Sequence, residues 1–186
     1  MLTGLPGESL YIPPPRRCGG LVLYLDLDGC LHPESVYLHP KFGPILWNAP
    51  GHELFEHVKL LEQVLEPYLD VCIILSTSWV PRYRGSLRRV LRRFTPSLRA
   101  RVVGATYHSQ MSMADFTNTA KGMQVWSDVL RRKPEAWIAL DDDDKNWPAW
   151  CRDHLVRTDP YLGIGEASVL SELQAKLAEI FTPTTR

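Results

Sequence analysis

The sequence has few cysteines and no long apolar run, and both absences narrow what the protein can be. The four cysteines, Cys18, Cys30, Cys72 and Cys151, show no C-x-x-C spacing, so neither a zinc site nor a disulfide framework is indicated. The opening segment "MLTGLPGESLYIPPPRR" lacks an apolar stretch of signal-peptide length, and no segment approaches a membrane span. We therefore expect a cytoplasmic protein in a reducing compartment.

Acidic residues are missing from one long stretch, although the formal net charge is zero, with 21 basic and 21 acidic residues. Residues 71–114 contain no Asp or Glu but carry Arg82, Arg84, Arg88, Arg89, Arg92, Arg93, Arg99 and Arg101. Two interpretations of the first six arginines stay open. They form either the solvated face of an amphipathic helix or a surface that binds nucleic acid.

The length and composition are typical of one ordinary globular domain. With 186 residues, 45% hydrophobic and 23% charged, the chain can bury a sizeable core but is short for two domains. We expect residues 1–18, with their run of three prolines, to form an extended lead-in. Residues 19–181 then form the domain, and residues 182–186 form a C-terminal tail.

Apolar, strand-like runs alternate with helical patterns along the chain. Strands are predicted at 21–26, 71–75 and 136–140, with weaker signals at 155–158 and 101–103. Helical spacing of apolar residues predicts helices at 52–68, 86–94, 120–132 and 166–180. The alternation predicts an α/β fold in which helices cover both faces of a parallel sheet.

Residues 30–51 interrupt this alternation. The segment "CLHPESVYLHPKFGPILWNAPG" is too rich in proline and turn residues for a helix, so we expect a hairpin-like flap after the first strand. Parallel sheets bind ligands at the carboxyl ends of their strands, so the flap should border a site. Residues 77–120 are mostly accounted for by one helix and a short strand, which leaves minimal or no cap over that site.

Polar residues follow three of the predicted strands. Asp26 and Asp28 end the first, Ser76 ends the second, and Asp141 with Asp142 ends the third. The ends of parallel strands lie along one edge of a sheet, so these residues should converge. Carboxylates and carbonyl oxygens are the ligands that Mg²⁺ prefers, commonly together with a substrate phosphate. Asp26, Asp141 and Asp142 fit that requirement.

These residues resemble the four motifs of the haloacid dehalogenase (HAD) superfamily. The motifs are D-x-D-G after a strand, Ser or Thr after a second strand, a lysine that opens a later helix, and D-D after another strand. All four occur here in that order over residues 20–145. The resemblance implies a Rossmann-like domain and Mg²⁺-dependent phosphoryl transfer through an aspartyl-phosphate.

The same resemblance implies a role for each matching residue. Asp26 is similar to the nucleophile, and Asp28 to the general acid/base that also gives a backbone carbonyl to the metal. Ser76 and Lys121 resemble the pair that holds the phosphate. Asp141 and Asp142 resemble the remaining metal ligands, which makes Asp26, Asp28, Asp141 and Asp142 the implied metal set.

A narrower resemblance comes from three further stretches. "LSTSW" at 75–79, "ALDDD" at 139–143 and "RTDPYLGI" at 157–164 are similar to the small HAD domain associated with Swiss Army Knife RNA repair proteins. Members of that group tend to carry an arginine directly after the tryptophan. Here Val80 and Pro81 precede Arg82.

Each candidate residue also has an ordinary structural interpretation. Asp26 and Asp28 could cap a strand end, Ser76 could be a plain strand-end hydroxyl, and Lys121 could be a surface charge. The run at 141–144 could be a solvated acidic loop. Agreement of four elements in type and order favours the site. Trp79 is better explained by packing than by base stacking, and His32 is interpreted as a flap residue.

Two functions are compatible with these residues. The first is a Mg²⁺-dependent phosphatase that acts on a phosphate monoester and, given the arginines and the open site, on a nucleic-acid end. The alternative is a non-catalytic module that binds metal, phosphate or RNA with the same motifs. The sequence leaves the natural substrate, the pathway and the oligomeric state open.

Overall fold

The computed structural model describes residues 15–181. Residues 1–14, which make up most of the expected lead-in, and the expected tail at 182–186 lie outside the described residues. Residues 15–18 contain no helix or strand. They contact the domain through Arg132, whose Nη1 donates to the Arg17 carbonyl at 2.5 Å.

A five-stranded parallel sheet forms the centre of the fold, as the sequence predicts. The strands are β1 (Leu21–Leu25), β4 (Val71–Leu75), β5 (Val102–Ala105), β6 (Ala136–Asp141) and β7 (Leu155–Arg157). Their order across the sheet is β5-β4-β1-β6-β7, so β1 is central. Leu25 pairs with Leu75 on one side and with Leu140 on the other. The residues that follow these three therefore lie at the same level of the sheet edge.

Helices pack on both faces of this sheet. They are α1 (Val58–Leu65), α2 (Trp79–Arg82), α3 (Leu87–Val90), α4 (Pro96–Arg101), α5 (Met113–Asn118), α6 (Lys121–Arg132) and α7 (Ala167–Ile180). Short 3₁₀ segments occupy Leu91–Arg93 and Ala149–His154. The observed architecture is the α/β arrangement, with helices on both faces, that the alternation predicts.

The core has two parts because side chains alternate across β1. Leu23 and Leu25 belong to the larger cluster, which includes α1 and α7. Val22 and Tyr24 belong to a smaller cluster with α6 and the segment that follows β6. Continuous apolar sequence in β1 is thus required by burial on both faces.

Two predicted helices are shorter than expected. The predicted helix at 52–68 begins only at Val58, because Phe55 takes a left-handed φ of 66° and packs its ring against His32 and Trp79. The predicted helix at 86–94 is one α-helical turn followed by the 3₁₀ segment. Its expected apolar stripe is nevertheless present, since Val90, Leu91 and Phe94 are buried.

The flap forms the expected antiparallel hairpin, β2 (Val36–His39) and β3 (Gly43–Leu46). Between β1 and β4 the chain forms only this hairpin and α1, and between β4 and β6 it forms short helices, the 3₁₀ segment and β5, besides α6. A separate cap domain is therefore absent from residues 15–181. No helix in that range is both long and apolar enough to cross a membrane.

Gly122, in the first turn of α6, lies against the loop that follows β6. A Cβ there would come within 2.8 Å of both the Trp147 and the Pro148 side chains, and within 2.9 Å of the Trp147 Cα atom. Such contacts are closer than packed carbon atoms tolerate. This close approach explains why a glycine, which lowers helix propensity, stands in the first turn of α6. The same approach brings the start of α6, and with it Lys121, against the loop that follows β6.

We expect Gly122→Ala to lower the free energy of unfolding by roughly 1–3 kcal/mol, because overpacking outweighs the gain of about 1 kcal/mol in helix propensity. Urea unfolding measures the change. Met123→Ala, one residue later and exposed, is the matched control and should have little effect. An increase in the free energy of unfolding for Gly122→Ala would contradict the prediction and would show that the loop moves to accommodate the added methyl group.

Candidate active site

The register of the sheet brings the predicted site residues together. Asp26, Ser76 and Asp141 follow or end three neighbouring strands and are almost fully buried. The Asp26 amide donates to the Leu140 carbonyl at 3.0 Å, and the Ser76 amide donates to the Leu25 carbonyl at 2.8 Å. The parallel ladder thus continues up to the site, which fixes the three backbones relative to one another.

Lys121 is the cation closest to these acids. Its Nζ donates a short hydrogen bond to Asp26 Oδ2, donates to the Ser76 carbonyl at 2.6 Å, and lies 3.7 Å from Asp141 Oδ2. Burial by itself lowers the pKa of Lys121, but the carboxylates of Asp26 and Asp141 raise it above its ordinary value. Lys121 is therefore a permanent positive charge between two buried acids.

The three acids of the site carry more negative charge than one lysine balances. Burial raises the pKa of Asp26, and Lys121 offsets only part of that increase. Burial also raises the pKa of Asp141 well above its usual range, and burial together with Asp26 raises the pKa of Asp142 to about 7. Like charges at this spacing favour a proton or a cation between them.

These acids also fit a divalent cation. One carboxylate oxygen from each of Asp26, Asp141 and Asp142 lies within 4.8 Å of the others. Asp141 Oδ1 accepts from the Asp143 amide at 3.1 Å, whereas the buried Oδ2 accepts no hydrogen bond from the described residues. A buried oxygen without a donor is costly, and a Mg²⁺ ion would satisfy it. The donor set, three carboxylates with room for carbonyl and water, suits that ion.

Gly29 explains how Asp142 reaches this cluster. It has a left-handed φ of 66°, and a Cβ at this position would lie 2.5 Å from the Asp142 carboxyl carbon. Only glycine combines that backbone conformation with that close approach. The glycine of the D-x-D-G motif is therefore required because the turn after β1 packs directly on an acid that follows β6.

Ser76 presents its hydroxyl at the same edge. Its Oγ is buried and has no hydrogen-bond partner among residues 15–181, while its carbonyl accepts from Lys121. A hydroxyl that is buried without a partner is rare and needs a reason. An anion held between Ser76 Oγ and Lys121 Nζ would supply one.

Asp28 is partly exposed, and its side chain is oriented by two residues whose role sequence reasoning missed. Trp79 Nε1 donates to Asp28 Oδ1 at 2.7 Å, and His32 Nε2 lies 3.1 Å from the same oxygen. Trp79 packs in the core as expected, but its polar edge also contacts Asp28. His32 belongs to the segment interpreted as the flap, but its ring is fully buried and packs against Phe55 and Trp79.

A groove of about 380 Å³ opens beside Lys121. Its lining is mostly polar and comes from α2, from the segment joining α5 to α6, and from the loop after β6. The polar lining residues are Ser78, Thr117, Asn118, Thr119, Lys121, Gln124, Asp143, Lys145 and Asn146. Lys121 is therefore accessible from this groove.

Comparison with known families shows which family the chain belongs to. A family model described as "HAD domain in Swiss Army Knife RNA repair proteins" matches residues 22–169, most of the described domain. The chain belongs to this family. The HAD resemblance and its narrower form are both confirmed, and the match continues past residue 145 to include β7 and the "RTDPYLGI" segment. No curated protein and no solved structure gave a significant match.

Membership of this family makes the chain a HAD-type, phosphohydrolase-like domain. The acidic cluster, Lys121 and Ser76 occupy the edge of the sheet to which the motifs assign them. The individual roles of Asp26, Asp28, Ser76, Lys121, Asp141 and Asp142 stay predictions.

The raised pKa of Asp142 predicts how stability depends on pH in metal-free protein. The pKa of the Asp142 carboxyl group is about 7 in the folded protein, whereas its ordinary value, expected in the unfolded chain, is 3.8. The protonated carboxyl group therefore contributes fully to the free energy of unfolding below pH 3.8, and this contribution is lost as the pH rises towards 7. We therefore expect Asp142→Asn to gain stability relative to the wild type over that interval. Urea unfolding in EDTA between pH 4 and 8 measures the difference.

Asp144→Asn is the matched control, because it removes a charge from the same acidic run at a side chain that is 41% exposed and pairs with Arg157. Parallel pH curves for wild type and Asp142→Asn would contradict the prediction. Excess Mg²⁺ should reduce the difference, since the ion replaces the proton as the compensating charge.

Proposed function

We propose that this protein is a Mg²⁺-dependent phosphohydrolase that cleaves a phosphate monoester through an aspartyl-phosphate on Asp26. One observation carries the proposal. The buried carboxylate of Asp26 lies beside two further acids, a lysine and a serine hydroxyl that has no hydrogen-bond partner within residues 15–181, all at the carboxyl edge of one sheet. Groups suited to binding a metal ion and a phosphate are therefore close together, which supports the proposal.

Asp26, Asp141 and Asp142 would hold the ion, together with the backbone carbonyl of Asp28. When bound, Mg²⁺ would neutralise phosphate charge and thereby allow an anionic nucleophile to approach. Lys121 Nζ and Ser76 Oγ would bind the other phosphate oxygens. Lys121, already within hydrogen-bond distance of Asp26, also orients the carboxylate that attacks.

The reaction then proceeds in two displacements. A carboxylate oxygen of Asp26 forms a bond to phosphorus while the bond to the leaving oxygen breaks, and Asp28 donates its proton to that oxygen. Asp28, now a carboxylate, accepts a proton from a water molecule that attacks the phosphoryl group. Phosphate leaves, and Asp26 is regenerated as a carboxylate.

Asp26→Asn is the direct test, because an amide cannot form the phosphorylated intermediate. We expect kcat for a generic aryl phosphate to fall by on the order of 10⁴-fold or more, as in other enzymes that lack their nucleophile. EDTA should abolish wild-type turnover, and Mg²⁺ should restore it. Asp144→Asn, which lies outside the acidic cluster, should leave turnover unchanged.

Equal turnover by Asp26→Asn would remove this residue from the mechanism. A wild-type protein that binds Mg²⁺ and phosphate in calorimetry but turns over none of a panel of monoesters would instead support the non-catalytic module.

The substrate class that we propose is a phosphorylated nucleic-acid end. The chain passes from Ser76 through α2 into the basic stretch, in which Arg82, Arg84, Arg88, Arg89, Arg92, Arg93 and Arg99 are all exposed. Arg88, Arg89, Arg92 and Arg99 line a cavity of about 550 Å³ with Ser86. Arg101 differs, because it donates to backbone carbonyls of Leu65, Tyr68 and Val71. Seven arginines are thus available to an anionic polymer.

The flap supports the same substrate class. Its exposed side chains include Tyr37, Phe42 and Trp47, and Trp47 is 66% exposed. Val36, Leu38 and Pro44 of the hairpin line one cavity together with Arg82 and Trp79. Exposed rings on which unpaired bases can stack are therefore present on an element that also lies beside Arg82.

Replacing Arg88 and Arg92 with alanine should weaken binding of a phosphorylated oligonucleotide and lower its salt dependence. The slope of log affinity against log salt should fall by roughly 0.7 for each phosphate that the variant no longer neutralises. Fluorescence anisotropy at several salt concentrations measures this slope. A Lys59→Ala, Arg152→Ala protein removes two exposed charges elsewhere and is the matched control. Equal slopes in both double variants would assign the arginines to a solvated face.

A further inference from the structure

We propose that Trp79 and His32 are positioning residues that hold Asp28 by one carboxylate oxygen and leave the other free to exchange a proton with the substrate. This inference rests on the proposed phosphohydrolase function and extends it to two residues to which the resemblance assigns no role. Neither residue touches the acidic cluster of Asp26, Asp141 and Asp142 by a hydrogen bond in the described chain. Both act through Asp28.

The geometry separates the two oxygens of Asp28. Oδ1 accepts from the Trp79 indole at 2.7 Å and from His32 Nε2 at 3.1 Å. Within residues 15–181, no hydrogen bond reaches Oδ2. The Asp28 side chain is 23% exposed, whereas the His32 side chain is fully buried. Two N–H groups from the buried side thus occupy Asp28 Oδ1, while the carboxyl group as a whole remains accessible to solvent and substrate.

The two donors are themselves held rigidly. The Trp79 ring meets Phe55 edge-on, with centroids 5.3 Å apart, and His32 packs against Phe55 at 4.9 Å and against Trp79 at 5.8 Å. The hydrogen bond to Asp28 requires a proton on His32 Nε2. His32 Nδ1 is buried without a partner among the described residues, so it is the nitrogen for which an attached proton would be most costly. The packing therefore selects both the ring orientation and the tautomer.

This arrangement has a chemical consequence for the leaving group. Oδ1 already accepts two N–H donors, so the proton of the acid form resides on Oδ2. When Oδ2 gives that proton to the leaving oxygen, the two N–H groups already face the carboxylate that results. No side chain has to reorient during the step, which is what a preorganised site contributes.

Leaving-group dependence tests the inference. Trp79→Phe keeps a ring in the core but removes the N–H, and His32→Phe removes the second donor, while His32→Gln retains a donor. Trp137→Phe is the matched control, because Trp137 is a buried tryptophan in an edge-on contact with Tyr24 on the other face of the sheet. Each variant is assayed with p-nitrophenyl phosphate, a good leaving group, and with an alkyl phosphate, a poor one.

Trp79→Phe and His32→Phe should lower kcat for the alkyl phosphate by roughly 10–100-fold, part of the effect of a general acid, with KM nearly unchanged. For p-nitrophenyl phosphate, whose leaving group hardly needs a proton, kcat should fall less than about threefold. His32→Gln should restore much of the alkyl phosphate rate. Trp137→Phe should preserve the ratio of the two rates. Equal decreases with both substrates would overturn the inference and leave a purely structural role.

A second measurement does not depend on turnover. In ¹⁵N-labelled protein, the Trp79 indole proton should resonate downfield and exchange slowly, and Asp28→Ala should move it upfield and speed its exchange. An indole signal insensitive to Asp28→Ala would show that the hydrogen bond is absent and would overturn the inference. Failure of the proposed function itself is distinguished by the Asp26→Asn assay, because that variant retains the hydrogen bond from Trp79 to Asp28.

Discussion

Several acids are buried together at one edge of the sheet, and the rest of the site depends on how their charge is balanced. Lys121 contacts Asp26 directly and lies close to Asp141, so one cation serves two anions. Removing one partner of a buried ion pair costs about 3–5 kcal/mol, so this lysine is needed for the stability of the acidic cluster. The remaining negative charge, on Asp142, favours a divalent cation here, because such an ion would complete the balance.

The strands and the positions of the motif residues could be predicted from the sequence, because burial on both faces leaves continuous apolar runs. Polar residues that directly follow such runs must then meet at one edge. Helix boundaries were less predictable. The α4 helix has a readable signal, since Thr95 caps it and Pro96 opens it. The left-handed Phe55 that delays α1 has none, because its cause is contact with His32 and Trp79.

The partners of Asp28 show where sequence reasoning stops. Trp79 lies 51 residues from Asp28 along the chain, and its indole looks like any other core ring in the sequence. His32 lies in a proline-rich segment that indicates a flap, and only the packed structure shows that its ring is buried against Phe55 and Trp79. Hydrogen bonds between a motif and its supporting residues depend on tertiary geometry, for which a local pattern carries no signal.

Contact between Gly29 and Asp142 determines how closely the turn after β1 approaches the acid that follows β6. The backbone of the turn after β1 packs directly against the Asp142 side chain. The position of this carboxylate therefore depends on the backbones of both segments and not only on the choice of side-chain rotamer. A glutamate at 142 would need one more methylene in a space that does not admit even a Cβ at residue 29. Any residue with a Cβ at 29, and any side chain larger than aspartate at 142, would therefore have to displace the other partner of this contact.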